Sequence, residues 1–120
     1  MSFDWKEYLY LALFLQGYGG SSFNQEAGFR CSVSRAYYAA FCHARNYARN
    51  NRSFIPTYKS VDHRRVREHF QNLGMTEISS KLDDLRVWRN SCDYDDSVSN
   101  ISFLVSSAIA GSQEIIGKLI

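Results

Sequence analysis

The stretch EAGFRCSVSRAYYAAFCHARNYARN, residues 26–50, decides the fold. It contains no proline, and its apolar residues recur at alternating steps of four and three, which keeps them on one face of an α-helix. These residues are Val33, Tyr37, Ala40, Ala44 and Tyr47. The pattern predicts a long amphipathic helix over residues 26–50, which Asn51 and Pro56 bring to an end.

Four further helices are predicted around this one. The first covers roughly residues 3–16, and its apolar run over residues 8–15 is too short to span a membrane, so we expect a buried helix. The third begins near Ser60, a predicted N-cap, and the fourth begins near Thr76. The fifth follows an acidic turn over residues 93–96, whose aspartates would favour a helix N-terminus.

The inner faces of the last three helices follow from residues at steps of three and four. They are His63, Val66, Phe70 and Leu73 on the third helix, Met75, Ile78, Leu82 and Leu85 on the fourth, and Val98, Ile101, Val105, Ala108, Ser112, Ile115 and Leu119 on the fifth. Short connections favour antiparallel neighbours. The sequence therefore predicts a single all-α domain over residues 1–120, an up-and-down bundle of about five helices.

The composition excludes several classes of protein. One proline and seven glycines are too few for an all-β fold with many tight turns. Three cysteines without paired spacing predict neither a disulfide framework nor a zinc site, and the aspartates of residues 93–96 lack the glycine and glutamate of a calcium loop. We therefore expect no metal and no cofactor. Asp4 and Glu7 precede the first apolar run, so we expect no signal peptide, no membrane association and a cytoplasmic location.

The net charge of +2 hides a strong asymmetry, because residues 29–70 carry +7 and the remainder carries −5. Such a chain presents a basic face and an acidic face. The long helix has a second stripe, which consists of Arg35, Tyr38, Cys42, Arg45 and Arg49. Arginines beside an aromatic ring suit phosphates and a stacked base, so Arg35, Tyr38, Arg45 and Arg49 are candidate RNA- or nucleotide-binding residues. Alternatively, this basic face of the long helix is only solvated, or its arginines pair with acidic residues of the same domain.

Arg89 breaks the apolar pattern of the fourth helix. It continues the inner stripe past Leu85, with Cys92 as the next member. A lone buried charge is costly, so this arginine must be paired or functional. Asp93 is its expected partner. A structural ion pair at the turn and an arginine that lines a groove both fit the pattern.

Two segments together resemble the HEPN family. SRAYYAAF, residues 34–41, is similar to the family signature S-R-x-Y-Y-A-x-F, and LRVWRNSCDY, residues 85–94, is similar to its L-R-x-x-R-N-x-x-D-Y stretch. Their order, the gap of about fifty residues and the final apolar helix match as well, so the resemblance covers most of the chain. It implies a small helical bundle that forms a homodimer.

The resemblance also implies a function and its residues. Many HEPN proteins are prokaryotic metal-independent ribonucleases, often toxins paired with a minimal nucleotidyltransferase antitoxin or parts of defence systems. The family's catalytic arginine and polar residue match Arg89 and Asn90, whereas Tyr94 stands in place of the catalytic histidine. A tyrosine is a poor base at neutral pH. These three residues would line the dimer cleft, and Arg35 and Asp93 would form a structural pair.

Three hypotheses follow. The leading one is a HEPN-type module that binds RNA or nucleotide as a homodimer and acts with a nucleotidyltransferase-like partner in a toxin–antitoxin or defence system. The first alternative is an active toxin ribonuclease that uses Arg89 with Tyr94, or with a displaced histidine such as His43. The second alternative is a helical dimerisation scaffold without a ligand.

Overall fold

The computed structural model describes residues 2–17 and 23–120, and it confirms the predicted all-α bundle. Within these residues there are five α-helices and no strand. The helices are α1 (Lys6–Gln16), α2 (Gln25–Asn51), α3 (Asp62–Asn72), α4 (Thr76–Tyr94) and α5 (Ile101–Lys118). α2 is the central element, because it contacts each of the other four helices.

Small side chains let the other helices approach α2 closely. Its completely buried alanines are Ala36, Ala39, Ala40, Ala44 and Ala48. The helix begins where the Oδ1 of Asn24 accepts a hydrogen bond of 2.9 Å from the N–H of Ala27, which satisfies a backbone donor of the first turn. The long helix predicted from the sequence is therefore present, with one more residue at each end.

Most of the predicted inner faces of α3, α4 and α5 are confirmed. The buried members are Val66, Phe70, Ile78, Leu82, Leu85, Val105, Ala108, Ser112, Ile115 and Leu119. Leu73 was wrongly placed inside: it is 40% exposed, because α3 ends at Asn72 and Gly74 turns the chain with a φ of 79°. Ser60 was wrongly predicted as an N-cap, since α3 starts at Asp62 after Val61 and has no side-chain cap.

The first helix is not buried as predicted. Only Leu9 and Ala12 of α1 are buried, whereas Tyr10 and Leu13 are 56% and 40% exposed. The helix lies on the surface of the bundle and contacts α2 and α5, so one side of it stays in water. Among the described residues, no helix has both the length and the apolar character that a membrane span requires.

The acidic turn ends α4 and does not start α5. Asp93 lies in the last turn of α4, Asp95 is its C-cap, and the first turn of α5 has no acidic residue. Aspartates at a helix C-terminus are unfavourable for the helix dipole. Arg30 of α2 compensates, because its guanidinium donates hydrogen bonds to the carbonyls of Cys92, Asp95 and Asp96, at 3.1, 2.6 and 3.2 Å. Long-range contacts with α2 thus decide where α4 ends.

Candidate functional site

A cleft of about 530 Å³ lies between the N-terminal part of the chain, α2 and the residues that lead into α3. The long helix contributes Arg35, Tyr38, Cys42 and Arg45 to its lining. Burial raises the pKa of the Cys42 thiol to about 11, against the smaller opposing effect of Arg45. The thiol is therefore protonated and unreactive at neutral pH, so Cys42 does not act as a nucleophile in the cleft.

Each of the two arginines of the cleft lies close to two aromatic rings. The guanidinium carbon of Arg35 is 4.8 Å from the ring centre of Tyr8 and 5.3 Å from that of Tyr38. The guanidinium carbon of Arg45 is 5.1 Å from the ring centre of Tyr58 and 5.8 Å from that of Trp5. Cation–π contacts of this kind orient a planar guanidinium without occupying its N–H donors.

The cations of the cleft lack acidic partners. Within the described residues, Arg35, Arg45 and Lys59 form no ion pair, although all three line the cleft. Most basic residues outside the cleft do pair with carboxylates, namely Arg30, Arg64, Arg65, Arg67, Lys81, Arg86, Arg89 and Lys118. Lys6, Arg49 and Arg52 form no ion pair among the described residues, but they do not line a common cleft wall with one another. The one carboxylate in the lining, that of Asp62, pairs with Arg65. The cleft is therefore suited to an anion.

The structure brings three of the four candidate RNA-binding residues into the cleft, namely Arg35, Tyr38 and Arg45. Arg49 does not line it, but its Nη1 donates a hydrogen bond of 2.8 Å to the hydroxyl of Tyr58, whose ring does. Arg49 thus contacts a residue of the cleft without lining the cleft itself.

Arg89 lies beneath the cleft. Its side chain is only 13% exposed, its Nη1 is 3.5 Å from the Oδ2 of Asp93, and its guanidinium carbon is 5.3 Å from the ring centre of Tyr37. The ring centre of Tyr38, which lines the cleft, is 5.4 Å away. The Nε of Arg89 is buried and has no hydrogen-bond partner within the described residues. The arginine therefore supports the floor of the cleft.

The connection between Arg35 and Asp93 runs through Ser34. The hydroxyl of Ser34 is 3.5 Å from the Oδ2 of Asp93, and the Nη2 of Arg35 is 3.5 Å from that hydroxyl. The ion pair of Asp93 is formed with Arg89. The two residues are thus joined in one polar network, which links α2 to the last turn of α4.

Asn90 and Tyr94 lie outside the cleft lining. Tyr94 is the last residue of α4 and is 76% exposed, whereas Asn90 is partly buried. Arg89 and Tyr94 are five positions apart, which places them about 140° apart around an α-helix. Within one chain, the arginine and the tyrosine therefore point to different sides of α4.

One histidine, His63, lines the cleft, and its position in the sequence predicted only that it lies on the inner face of the third helix. His63 stacks on Phe41 with a centroid distance of 4.1 Å, and its Nδ1 forms a hydrogen bond with the hydroxyl of Tyr37. Burial lowers the pKa of His63, and the positive charges of Arg89 and Arg67 lower it further. The imidazole is therefore neutral at pH 7. His43, by contrast, donates from its Nε2 to the carbonyl of Leu119 at 2.6 Å.

Sequence reasoning also missed the walls of the cleft. Trp5 and Tyr8 come from the N-terminal part of the chain, and Tyr58 and Lys59 come from the connection between α2 and α3. Their only signal in the sequence is that Tyr58-Lys59 puts a ring and a cation side by side within the basic stretch. Only the packing of α1 and α3 against α2 brings them to the stripe.

Comparisons of the chain with protein-family models, with curated proteins and with solved structures gave no match. The described residues also contain no group of three histidine, cysteine or acidic side chains that could hold a metal ion. The charges and rings of the cleft are therefore the features that indicate a function.

Proposed function

We propose that this chain is a HEPN-type helical module that binds RNA or a nucleotide in the cleft along α2. The observation that carries the proposal is the set of Arg35, Arg45 and Lys59, which line the cleft without an ion pair among the described residues. A protein gains little by collecting uncompensated cations in a concave site unless an anion binds there.

The chemistry of the cleft matches that of a nucleic acid. A guanidinium oriented by a ring can donate two parallel hydrogen bonds to a phosphate, and an exposed ring can stack on a base. Tyr58 is 62% exposed beside Arg45, so its ring offers such a surface. These contacts do not depend on the base sequence, so we expect little sequence preference.

The spacing along α2 favours an RNA segment over a single monophosphate. Arg35 and Arg45 are ten positions apart, which corresponds to about 15 Å along a helix axis. Two anchors at this separation suit a ligand with several phosphates, such as a short single strand.

A binding assay tests this proposal. A short labelled single-stranded RNA should bind the wild-type protein at low salt, and Arg35→Ala with Arg45→Ala should weaken binding by about tenfold or more. Arg64→Ala is the matched control, because this exposed arginine pairs with Glu68 and lies outside the cleft. Failure of the wild-type protein to retain the RNA at low salt would contradict the proposal, as would an equal loss in the control.

Metal-independent ribonuclease activity is the second candidate, and the position of His63 favours it. A histidine that is neutral at pH 7 and lines the cleft can accept a proton from a ribose hydroxyl. Incubation of RNA with the protein in the presence of a chelator tests this candidate. Cleavage that is lost in both His63→Ala and Arg89→Ala would establish an enzyme, whereas intact RNA in the wild-type reaction would leave binding alone.

The proposal includes a homodimer and a nucleotidyltransferase-like partner, both taken from the HEPN resemblance. Exposed apolar side chains of α1, among them Tyr10, Leu11 and Leu13, support a contact with another chain. Light scattering of the purified protein measures the assembly, and a monomeric mass at high concentration would contradict the homodimer. A nucleotidyltransferase reading frame beside the gene would support the paired system.

A further inference from the structure

A buried carboxylate organises one wall of the cleft. Asp62, the first residue of α3, is only 2% exposed. Its Oδ2 accepts hydrogen bonds from the backbone N–H groups of Thr57 and Tyr58 at 2.9 and 2.8 Å. Its Oδ1 accepts from the hydroxyl of Thr57 and from the Nη1 of Arg65, both at 2.7 Å. Thr57 and Tyr58, two residues of the connection before α3, are thus tied to a single side chain.

The carboxylate is held in its ionised form. Burial by itself would raise the pKa of Asp62, but the hydrogen bonds from Thr57, Tyr58 and Arg65 outweigh burial and lower it. At neutral pH the group is therefore an acceptor only, which suits the donors that face it.

The wall contains a strained residue. Tyr58 has a φ of 60°, in the left-handed region that residues with a side chain rarely adopt. Strain of this kind persists where the surroundings fix it, and it concentrates at functional sites. Here the fixing contact is the hydrogen bond from the N–H of Tyr58 to Asp62.

The left-handed conformation of Tyr58 determines the positions of its own ring, its own hydroxyl and the next residue, Lys59. The ring of Tyr58 comes to 5.1 Å from the guanidinium carbon of Arg45, and its hydroxyl accepts a hydrogen bond from Arg49. The next residue, Lys59, lines the cleft as one of its cations. The wall and the arginines of α2 therefore depend on the same turn.

We propose that Asp62 is a positioning residue of the cleft: it holds residues 57–60 so that Tyr58 and Lys59 are in place before an anionic ligand binds. The inference rests on the proposed function. A preorganised wall increases affinity because no loop has to be ordered when the ligand arrives. Asp62 itself does not contact the ligand, since its oxygens are occupied by Thr57, Tyr58 and Arg65.

A double-mutant cycle separates this role from a general contribution to stability. Asp62→Asn keeps the size and shape of the side chain but removes its negative charge. Lys59→Ala removes a cation that the aspartate is proposed to position. If Asp62 acts through this wall, the two losses of affinity are not additive, and the double variant binds about as weakly as Asp62→Asn alone. A merely structural aspartate would leave the affinity of the folded fraction unchanged, or would give losses that multiply.

The measurement uses a short labelled single-stranded RNA at low salt, at a temperature where circular dichroism shows every variant to be folded. We expect Asp62→Asn to weaken binding by about tenfold and to accelerate amide hydrogen exchange at Thr57 and Tyr58. Asp83→Asn is the matched control, because its ion pairs with Arg67 and Arg86 lie outside the cleft. If Asp62→Asn does not fold, Thr57→Val is the second variant: it removes one hydrogen bond to the carboxylate, together with the hydrogen bond that the N–H of Lys59 donates to the Thr57 hydroxyl at 3.2 Å, and should weaken binding by about threefold.

The outcomes distinguish the two proposals. A wild-type protein that binds no RNA overturns the proposed function and, with it, the role of Asp62. A wild-type protein that binds RNA while Asp62→Asn binds it equally well overturns the positioning role alone. Multiplicative losses in the cycle also overturn it, whereas non-additive losses with faster exchange at both amides support it.

Discussion

The guanidinium carbon of Arg89 lies 5.4 Å from the ring centre of Tyr38, so an arginine that the sequence places on a core stripe supports an aromatic ring of the cleft. The same ring is 5.3 Å from the guanidinium carbon of Arg35, which lies in the cleft. Tyr38 therefore contacts both a nearly buried cation and a cation that lines the cleft. Changes at Arg89 should consequently affect both the stability of the bundle and the shape of the cleft floor.

We expect Arg89→Ala to lower the free energy of unfolding by about 1–3 kcal/mol, because it removes an ion pair and two ring contacts from a nearly buried position. Arg89→Lys should fall between this variant and the wild type, since an ammonium keeps the charge but loses the planar stacking. Urea unfolding measures both values. A loss no larger than that of Arg64→Ala, whose exposed ion pair contributes little, would show that Arg89 has no structural role.

Arg30→Ala should destabilise the bundle by about 1–3 kcal/mol, because it leaves the carbonyls of Cys92, Asp95 and Asp96, at the end of α4 and just after it, without their donor. Glu26→Ala is the matched control, since it removes only the exposed carboxylate that pairs with Arg30 and should cost at most about 0.5 kcal/mol. Thermal and urea unfolding give the comparison. Equal losses in the two variants would mean that the ion pair, and not the contacts with α4, is what matters.

Tyr58→Gly should separate stability from binding. Glycine adopts a positive φ readily, so the relief of strain offsets its backbone entropy, and the free energy of unfolding should change by less than about 1 kcal/mol. RNA binding should nevertheless weaken, because the ring beside Arg45 is lost. Ser53→Gly, at another residue with a φ of 60°, is the control and should leave binding intact. Undiminished binding by Tyr58→Gly would remove this ring from the proposed site.

Protonation of His63 should destabilise the fold as the solution becomes acidic. Burial, followed by the charges of Arg89 and Arg67, lowers its pKa in the folded protein, so the unfolded chain takes up the proton first. The stability that the neutral imidazole contributes is fully present above the unfolded pKa of about 6.5 and is lost as the pH falls through the lower folded pKa. Urea unfolding of the wild type and of His63→Gln across this range should show a steeper decline for the wild type. If the stability of both proteins declined equally with falling pH, the lowered pKa of His63 would not be a source of this pH dependence.

The helices could be predicted from the sequence because their signals are local. The stripe of α2, from Val33 to Tyr47, and the stripe of α5 repeat at helical spacing, so period and length were available without a structure. The errors fall where long-range contacts decide the outcome. Arg30 donates to carbonyls at the end of α4 and just after it, and Asp62 accepts hydrogen bonds from the residues before α3, where Ser60 was expected to cap.

The candidate site also has one part that local spacing predicts and another part that depends on long-range contacts. Arg35, Tyr38 and Arg45 could be grouped in advance, because residues three and four apart on one helix share a face, and all three line the cleft. The other wall could not be found, since Trp5 and Tyr58 are distant in the sequence and meet at Arg45 only when the bundle is packed.

The sequence by itself thus determined the helical class, the core stripes and the basic stripe of α2, because each is a matter of spacing within one segment. Tertiary structure alone decided that Tyr8 flanks Arg35, that Trp5 and Tyr58 flank Arg45, and that Tyr58 adopts a left-handed conformation. Those features depend on contacts between segments, whose geometry is set by packing around α2 and by the buried carboxylate of Asp62.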